Sequence, residues 1–253
     1  MTKISVVIIT KNEASNIRSC LESVKWADEI IVLDSGSTDD TVKICTELGV
    51  QVHTTTDWPG FGIQKNRALS YATGDWVLSL DADERISASL HTEINAVINN
   101  AKKYTAYQIP RLSSFCGQHM RHSGWYPDFV TRLFLRGTAR FSEDLVHERL
   151  IVDGQTGKLN EHILHETFKN LDELLVKVNS YSTAGAQMLF EKNSESSLTK
   201  AIIHGVWAFF RTYILRAGFL DGQKGFMLAI STAESTYYRY AKHMLMNTYK
   251  SSE

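Results

Sequence analysis

The chain has 253 residues, of which 43% are hydrophobic and 22% charged, and its formal net charge is −1. This balance belongs to a chain that can bury a core, and it excludes an intrinsically disordered protein. Three widely spaced cysteines, Cys20, Cys45 and Cys116, argue against a disulfide framework or a zinc cluster and are expected as reduced cytosolic thiols.

The chain opens into an apolar run, Ile4 to Ile9, without the basic region, apolar segment and cleavage site of an export signal. No apolar window approaches the roughly 20 residues that span a bilayer; the nearest, Ala201 to Phe210, contains His204 and runs into Arg211. Runs rich in Val, Ile or Thr predict strands at about 4–9, 29–34, 50–55 and 76–81. Between the first two, Ile17, Cys20, Leu21 and Val24 recur on one helical face. Between the next two, Ser37-Thr38-Asp39-Asp40 has the form of a helix cap, followed by inward Val42, Cys45 and Leu48 and closed by Gly49. The alternation predicts an α/β fold with a mostly parallel sheet. Ligands of such sheets sit at the carboxyl ends of the strands. Three polar clusters fall there: Thr10-Lys11-Asn12-Glu13, Asp34 to Asp39, and Asp81-Ala82-Asp83-Glu84.

The last cluster ends a buried run in two acids two positions apart. Residues i and i+2 of an extended segment point the same way, so Asp81 and Asp83 are expected to converge on one cation. Hard oxygen ligands suit Mg²⁺ or Mn²⁺, and magnesium is usually held by one or two carboxylates together with substrate phosphates. A nucleoside diphosphate bridged by a divalent metal is thus the first expectation. A helix cap near Ser87 or a solvated turn is the alternative use of the same residues. There is no G-x-x-x-x-G-K-[ST] loop and no glycine fingerprint after the first strand, so neither a P-loop nor a dinucleotide cofactor is expected. A phosphatase using DxD for a nucleophile would carry it on the first strand, whereas here it ends the fourth.

Four segments, Ser5 to Glu13, Ile30 to Thr41, Lys65-Asn66-Arg67-Ala68 and Asp81-Ala82-Asp83, stand in the order and spacing of the family 2 glycosyltransferases of the GT-A fold, which this chain resembles. The resemblance implies a nucleotide-sugar donor contacted by the rim residues Thr10, Asn12, Glu13 and Asp34, with Lys65 facing it. It implies Asp83 as metal ligand and Asp81 as the acid that contacts ribose, metal or metal-bound water. Beyond residue 100 the chain is similar to bacterial lipopolysaccharide core β-1,4-glucosyltransferases in Gly124 to Asp128, Arg132-Leu133-Phe134, Val146-His147-Glu148, His165, Lys177 to Tyr181 and Gly218 to Gly222. That likeness implies His165 near the metal, with His162 as competitor.

An inverting transfer needs a base for the acceptor hydroxyl. Glu148 is the expected base beside His147, with Asp144 as rival; Glu148 paired with Arg149 on the surface is the alternative. Trp125 is expected to stack on a sugar, or else to pack in a core. Arg132 is expected to clamp an acceptor phosphate, or else to form an internal ion pair.

Residues 1–165 are expected to form the catalytic domain, and 166–253 a helical extension. From Thr199 to Lys250 there are seven Lys and Arg against two acids, with ten aromatic residues among them. Basic and aromatic helices suit a membrane interface, or ordinary core packing with a solvated basic face. Nucleic acid is not expected, because the front of the chain is net negative. The resemblance implies transfer of glucose from UDP-glucose to an inner-core heptose of lipid-linked lipopolysaccharide, on a peripheral protein at the cytoplasmic face of the inner membrane. Another family 2 reaction on a different glycan or lipid, or a non-catalytic scaffold, remains open on the sequence.

Overall fold

Seven consecutive residues of the first strand, β1 (Ile4–Thr10), are all buried, as a central parallel strand covered on both faces requires. A computed structural model describes residues 2–100, 103–143 and 148–250. The strands and helices that follow are α1 (Ile17–Ser23), β2 (Glu29–Asp34), α2 (Thr41–Glu47), β3 (Gln51–Thr54), α3 (Phe61–Leu69), β4 (Trp76–Asp81), β5 (Glu84–Ile86) and α4 (Ala88–Asn100). A largely antiparallel stretch comes next: β6 (Ala106–Phe115), β7 (Gln118–His119), β8 (Asp128–Leu135), β9 (Ala139–Phe141), β10 (Leu150–Val152), β11 (Thr156–Lys158) and β12 (Ile163–Phe168). Three helices close the chain: α5 (Leu171–Glu191), α6 (Leu198–Phe210) and α7 (Gly222–Lys250).

The main sheet runs in the order β3-β2-β1-β4-β8-β6-β12-β5. The first four are mutually parallel, and β8 turns antiparallel against β4. Side chains of β1 alternate between two cores, as the period of a strand dictates: Val6 and Ile8 pack with α1 and α4, whereas Val7 and Ile9 pack with Ala68 of α3. The register sets Thr10 opposite Asp34 and Ile9 opposite Asp81. Three strand ends are therefore level at one edge of the sheet, and the three polar clusters follow them.

The chain divides into two compact units, Met1–Arg111 with Asp128–His165, and Leu112–Pro127 with Glu166–Glu253. Residues 112–127, expected with the catalytic domain, group with the second unit. The reason is local: Phe115 and Met120 are fully buried in a core shared with Leu174, Val178 and Leu228. The buried Asp221 carboxylate accepts hydrogen bonds from the backbone N–H of Arg121 and His122, at 3.2 and 3.0 Å, and from the Ser123 hydroxyl at 3.2 Å. Gly124 has φ +78, and a Cβ there would meet the Arg216 side chain at 2.3 Å, so this turn favours glycine. The helices are capped from the sequence: the Asn170 side chain accepts from Glu173 N while Glu173 accepts from Lys169 N, and Ser197 accepts from Lys200 N.

Ser37 is a correction. It does not cap α2, which starts four residues later at Thr41. Its hydroxyl donates to Asp34 and accepts from Asn12 N, because turn-forming residues offer the backbone partners outside a helix.

Asp221→Ala removes the partner of four groups, the N–H of Arg121 and His122, the Ser123 hydroxyl and His122 Nδ1. A loss of about 2–4 kcal/mol in unfolding free energy is expected, read by urea denaturation; a loss under about 1 kcal/mol would mean that water replaces the carboxylate.

Candidate active site

Asn12 occupies the left-handed region, φ 56, which a short amide side chain tolerates better than most. In that conformation its Oδ1 accepts from Thr38 N at 2.8 Å. Glu13 N donates to Thr41 Oγ1 at 2.8 Å, and Ala14 N donates to Asp39. Asp34, 1% exposed, accepts from the N–H groups of Gly36 and Ser37 at 2.9 Å. The two loops after β1 and β2 are thus knitted into one rim. The Thr10 hydroxyl, on the same rim, is buried and finds no hydrogen-bond partner among the described residues; buried polar atoms are rarely left so unless a ligand or water supplies the partner.

The next cluster is ionic. Asp81 ends β4, and its carboxylate is held by Lys65 of α3 at 3.1 Å and by Arg132 of β8 through a short contact. Arg132 also reaches Glu84 at 2.7 Å, and Glu84, with no exposed surface, takes Arg111 at 3.6 Å and accepts from Asp81 N at 3.0 Å. Burial would raise the Asp81 carboxyl pKa, but the charges of Arg132 and Lys65 outweigh it and hold the group well below the usual carboxylate range. Burial would likewise lower the Arg132 pKa, and Asp81 and Glu84 push it up instead. Both groups are charged at any ordinary pH.

Lys65 reaches a third acid, Glu148, at 3.2 Å. The segment bearing Glu148 is fastened to α3 from below. Asn66 clamps the Phe141 backbone in both directions, donating to its carbonyl at 2.9 Å and accepting from its N–H at 2.8 Å. Ser142 N donates to the Arg149 carbonyl, and Arg149 N donates to the Ser142 hydroxyl. Gly62 lets the helix come this close, since a Cβ there would lie 1.8 Å from the Ser142 carbonyl oxygen. On the other side of the β4–β5 turn, Asp83 lies 3.3 Å from Nε2 of His165, which the β5–β12 register sets opposite Glu84.

A sequence profile described as Glycosyl transferase family 2 matches residues 5–155. The chain belongs to this family. Across 96% of its length it is 35% identical to Uncharacterized glycosyltransferase RP128 of Rickettsia prowazekii, over 87% of that protein. It is 28% identical to Lipopolysaccharide core biosynthesis glycosyltransferase LpsC of Rhizobium meliloti, over 94% of this chain and 93% of LpsC. Among solved structures, S. aureus TarS 1–349 in complex with UDP-GlcNAc superposes with a TM-score of 0.51 at 15% identity, covering 99% of this chain and 92% of that one. The chain is therefore a glycosyltransferase with a GT-A fold and a C-terminal helical extension.

In this family 2 transferase the structure brings together Thr10, Asn12, Glu13, Asp34, Lys65, Asp81, Asp83, Glu148 and His165 within the first unit. The two acids of the motif have different partners: the carboxylate of Asp81, where β4 ends, is held by Lys65 and Arg132, and that of Asp83 faces His165. Arg132, expected on an acceptor phosphate, is 5% exposed and committed to Asp81 and Glu84. Trp125 is half-buried in the second unit, with ring centroids 6.2 Å from those of Phe115 and Phe168. His162 lies just ahead of β12. Asp144 and His147 fall outside the described residues. Sequence reasoning missed Glu84, Arg111 and Asn66; the signal for Glu84 was the alternation Glu84-Arg85-Ile86, whose first and third residues are buried.

Among the described residues no group of three or more His, Cys, Asp or Glu gathers as a metal cage. Asp83 with His165 still fits a divalent ion whose remaining ligands are phosphate oxygens and water, the usual arrangement for such cations on nucleotides. The imidazole favours Mn²⁺ among the two expected metals.

The Asp81 pKa lies below its unfolded value of about 3.9, so its stabilisation is complete above that pH and is lost as pH falls towards the folded value. Unfolding free energy of the native chain should drop between about pH 5 and pH 2, and Asp81→Asn should flatten that drop in urea titrations. Equal slopes for the two proteins would remove the Asp81 centre as its source.

Proposed function

We propose that this transferase moves a hexose with inversion from a nucleoside diphosphate sugar, UDP-glucose in the first instance, to the core sugar of a lipid-linked lipopolysaccharide acceptor. The observation that carries the reading is the meeting of Asp81, Lys65 and Glu148, beside the Asp83–His165 pair, at the carboxyl edge of parallel strands. The likeness to LpsC supports the lipopolysaccharide core acceptor, and the UDP-GlcNAc named for TarS supports a uridine nucleotide on this fold.

In this reading Thr10, Asn12, Glu13 and Asp34 surround the nucleoside, with the unpartnered Thr10 hydroxyl free to bond to it. Asp83 and His165 would hold Mg²⁺ or Mn²⁺, and the chemistry such an ion would supply there is Lewis-acid compensation of charge on the diphosphate leaving group. Glu148 accepts the proton of the acceptor hydroxyl as its oxygen bonds to the anomeric carbon, while the bond to the diphosphate breaks on the opposite side. Lys65 fixes Glu148 relative to Asp81, and so fixes the base relative to the donor. Asp144 is the rival base.

A membrane-bound acceptor has a counterpart in α6. Leu198, Ile202, Ile203, Val206, Trp207 and Phe210 are each between 43 and 65% exposed on that helix, and Arg211 and Arg216 follow it. Exposed apolar residues beside basic ones bind an anionic bilayer surface from the cytoplasmic side. No helix among the described residues is long and apolar enough to cross a membrane.

Asp83→Ala should abolish release of UDP from UDP-sugars supplied with Mn²⁺, and Glu148→Gln should lower kcat by about 10²- to 10⁴-fold with little change in KM for the donor. Undiminished turnover in Asp83→Ala would overturn the metal assignment, and in Glu148→Gln would move the base to Asp144. For the bilayer, Ile203→Asp with Val206→Asp should abolish sedimentation with anionic vesicles; unchanged sedimentation would overturn this contact.

A further inference from the structure

Helices α5, α6 and α7 enclose a cleft of about 460 Å³ within the second unit. Its floor is apolar: Ala208 and Leu228 are 2% exposed, and Leu174 and Val178 are buried beside them. One wall is aromatic, with Trp207 and the stacked rings of His204 and Tyr240, whose centroids are 4.1 Å apart.

Three cations also line it, Lys177, Arg211 and Arg239, and no aspartate or glutamate does. Among the described residues none of the three pairs with a carboxylate, whereas Lys200 and Lys242 on the same helices have partners. Lys177 lies over the Tyr181 ring at 5.5 Å. Arg239 rests on bare backbone, since a Cβ at Gly185 would meet its Nε at 2.7 Å. The absence of a side chain at Gly185 leaves room for the Arg239 stem beside α5.

Three exposed cations and the hydroxyl residues Ser231, Thr232, Ser235 and Thr236 line a cleft that no acid lines among the described residues, a charge pattern complementary to an anion. Arginine suits phosphate through paired N–H donors, and lysine as a point charge. The apolar floor adds a second requirement, because a free phosphate would leave it wet and uncovered. We propose that the cleft binds an anionic amphiphile, with its phosphate on Lys177, Arg211 and Arg239 and its apolar portion on the Ala208–Leu228 floor against Trp207. The cleft shares Trp207 and Arg211 with the exposed side of α6, whereas Ile203 and Val206 of that side do not line it. It invokes no residue of the transfer chemistry.

The full-length protein, titrated calorimetrically with dihexanoyl phosphatidic acid below its micelle concentration, should bind one molecule saturably. Inorganic phosphate, and zwitterionic dihexanoyl phosphatidylcholine, should bind at least about tenfold more weakly. Lys177→Gln with Arg239→Gln should weaken the phosphatidic acid by about tenfold or more, with circular dichroism and donor hydrolysis unchanged. Arg211→Gln, at the exposed end of α6, tests the third cation singly and should weaken it several-fold. Trp207→Ala should weaken the phosphatidic acid and leave phosphate unaffected. Absence of saturable binding, equal affinity for phosphate, or native affinity in the double variant would overturn the assignment. The Ile203→Asp, Val206→Asp protein should keep this binding while losing vesicles, and loss of both would likewise overturn a separate site.

Discussion

A guanidinium with almost no access to water, Arg132, stands between two carboxylates, and the catalytic rim takes its shape from that placement. Isolated, each of these charges would be costly in the interior. Together they are bound to one geometry: Glu84 turns back to the Asp81 N–H, Arg132 grips both acids, and Lys65 carries the connection on to Glu148. Removing one partner strands the others, which is why such clusters cost far more to break than they gain in net stability. The β4–β5 turn thereby presents Asp83 and Asp81 to different neighbours, His165 for one and Lys65 with Arg132 for the other.

That division explains what the sequence revealed and what it concealed. The first four strands were legible because Val- and Ile-rich runs alternate with helical spacing, and Ile17, Cys20 and Leu21 do fill the inner face of α1. The rim was legible because it follows from strand order. The partner of Arg132 was not, since an arginine on an alternating strand reads equally as a ligand clamp or an internal ion, and only the β4–β8 pairing decides. Ser37 misled for a related reason: the residue types that cap helices also stitch loops, and here Asn12, twenty-five residues away, took the hydroxyl. Past residue 100 the strands range from two to ten residues and pair mostly antiparallel, and their burial does not alternate cleanly, so they leave little periodic trace. Nothing local in 112–127 announces that Phe115 and Met120 pack with Leu174 and Leu228.

The second unit answers a different physical demand. Its helices bury a small core and still expose Val206, Trp207 and Leu215 at 51 to 65%. A soluble surface normally scatters such residues. Here α5 exposes Leu175 and Val176 as well, at 53 and 69%, while each of α5 and α6 also turns a buried side inward, Leu174 and Val178 on one and Ala201 and Ala208 on the other, so the same helices carry both a packed core and an apolar exterior.

The topology also governs how the molecule comes into being. β1 emerges first during synthesis, yet its neighbours on the two sides are residues 29–34 and 76–81, and β4 in turn waits for residues 133–135. Contacts this distant along the chain are slow to form, because a long loop must close before any hydrogen bond rewards it. The longest such wait falls to β5, whose partner residues 163–165 follow it by most of the second half of the first unit, so this edge of the sheet is exposed longest on the nascent chain. The rim itself is drawn from residues 10, 34, 81 and 148, so an incomplete product ending before the middle of the chain holds no site at all.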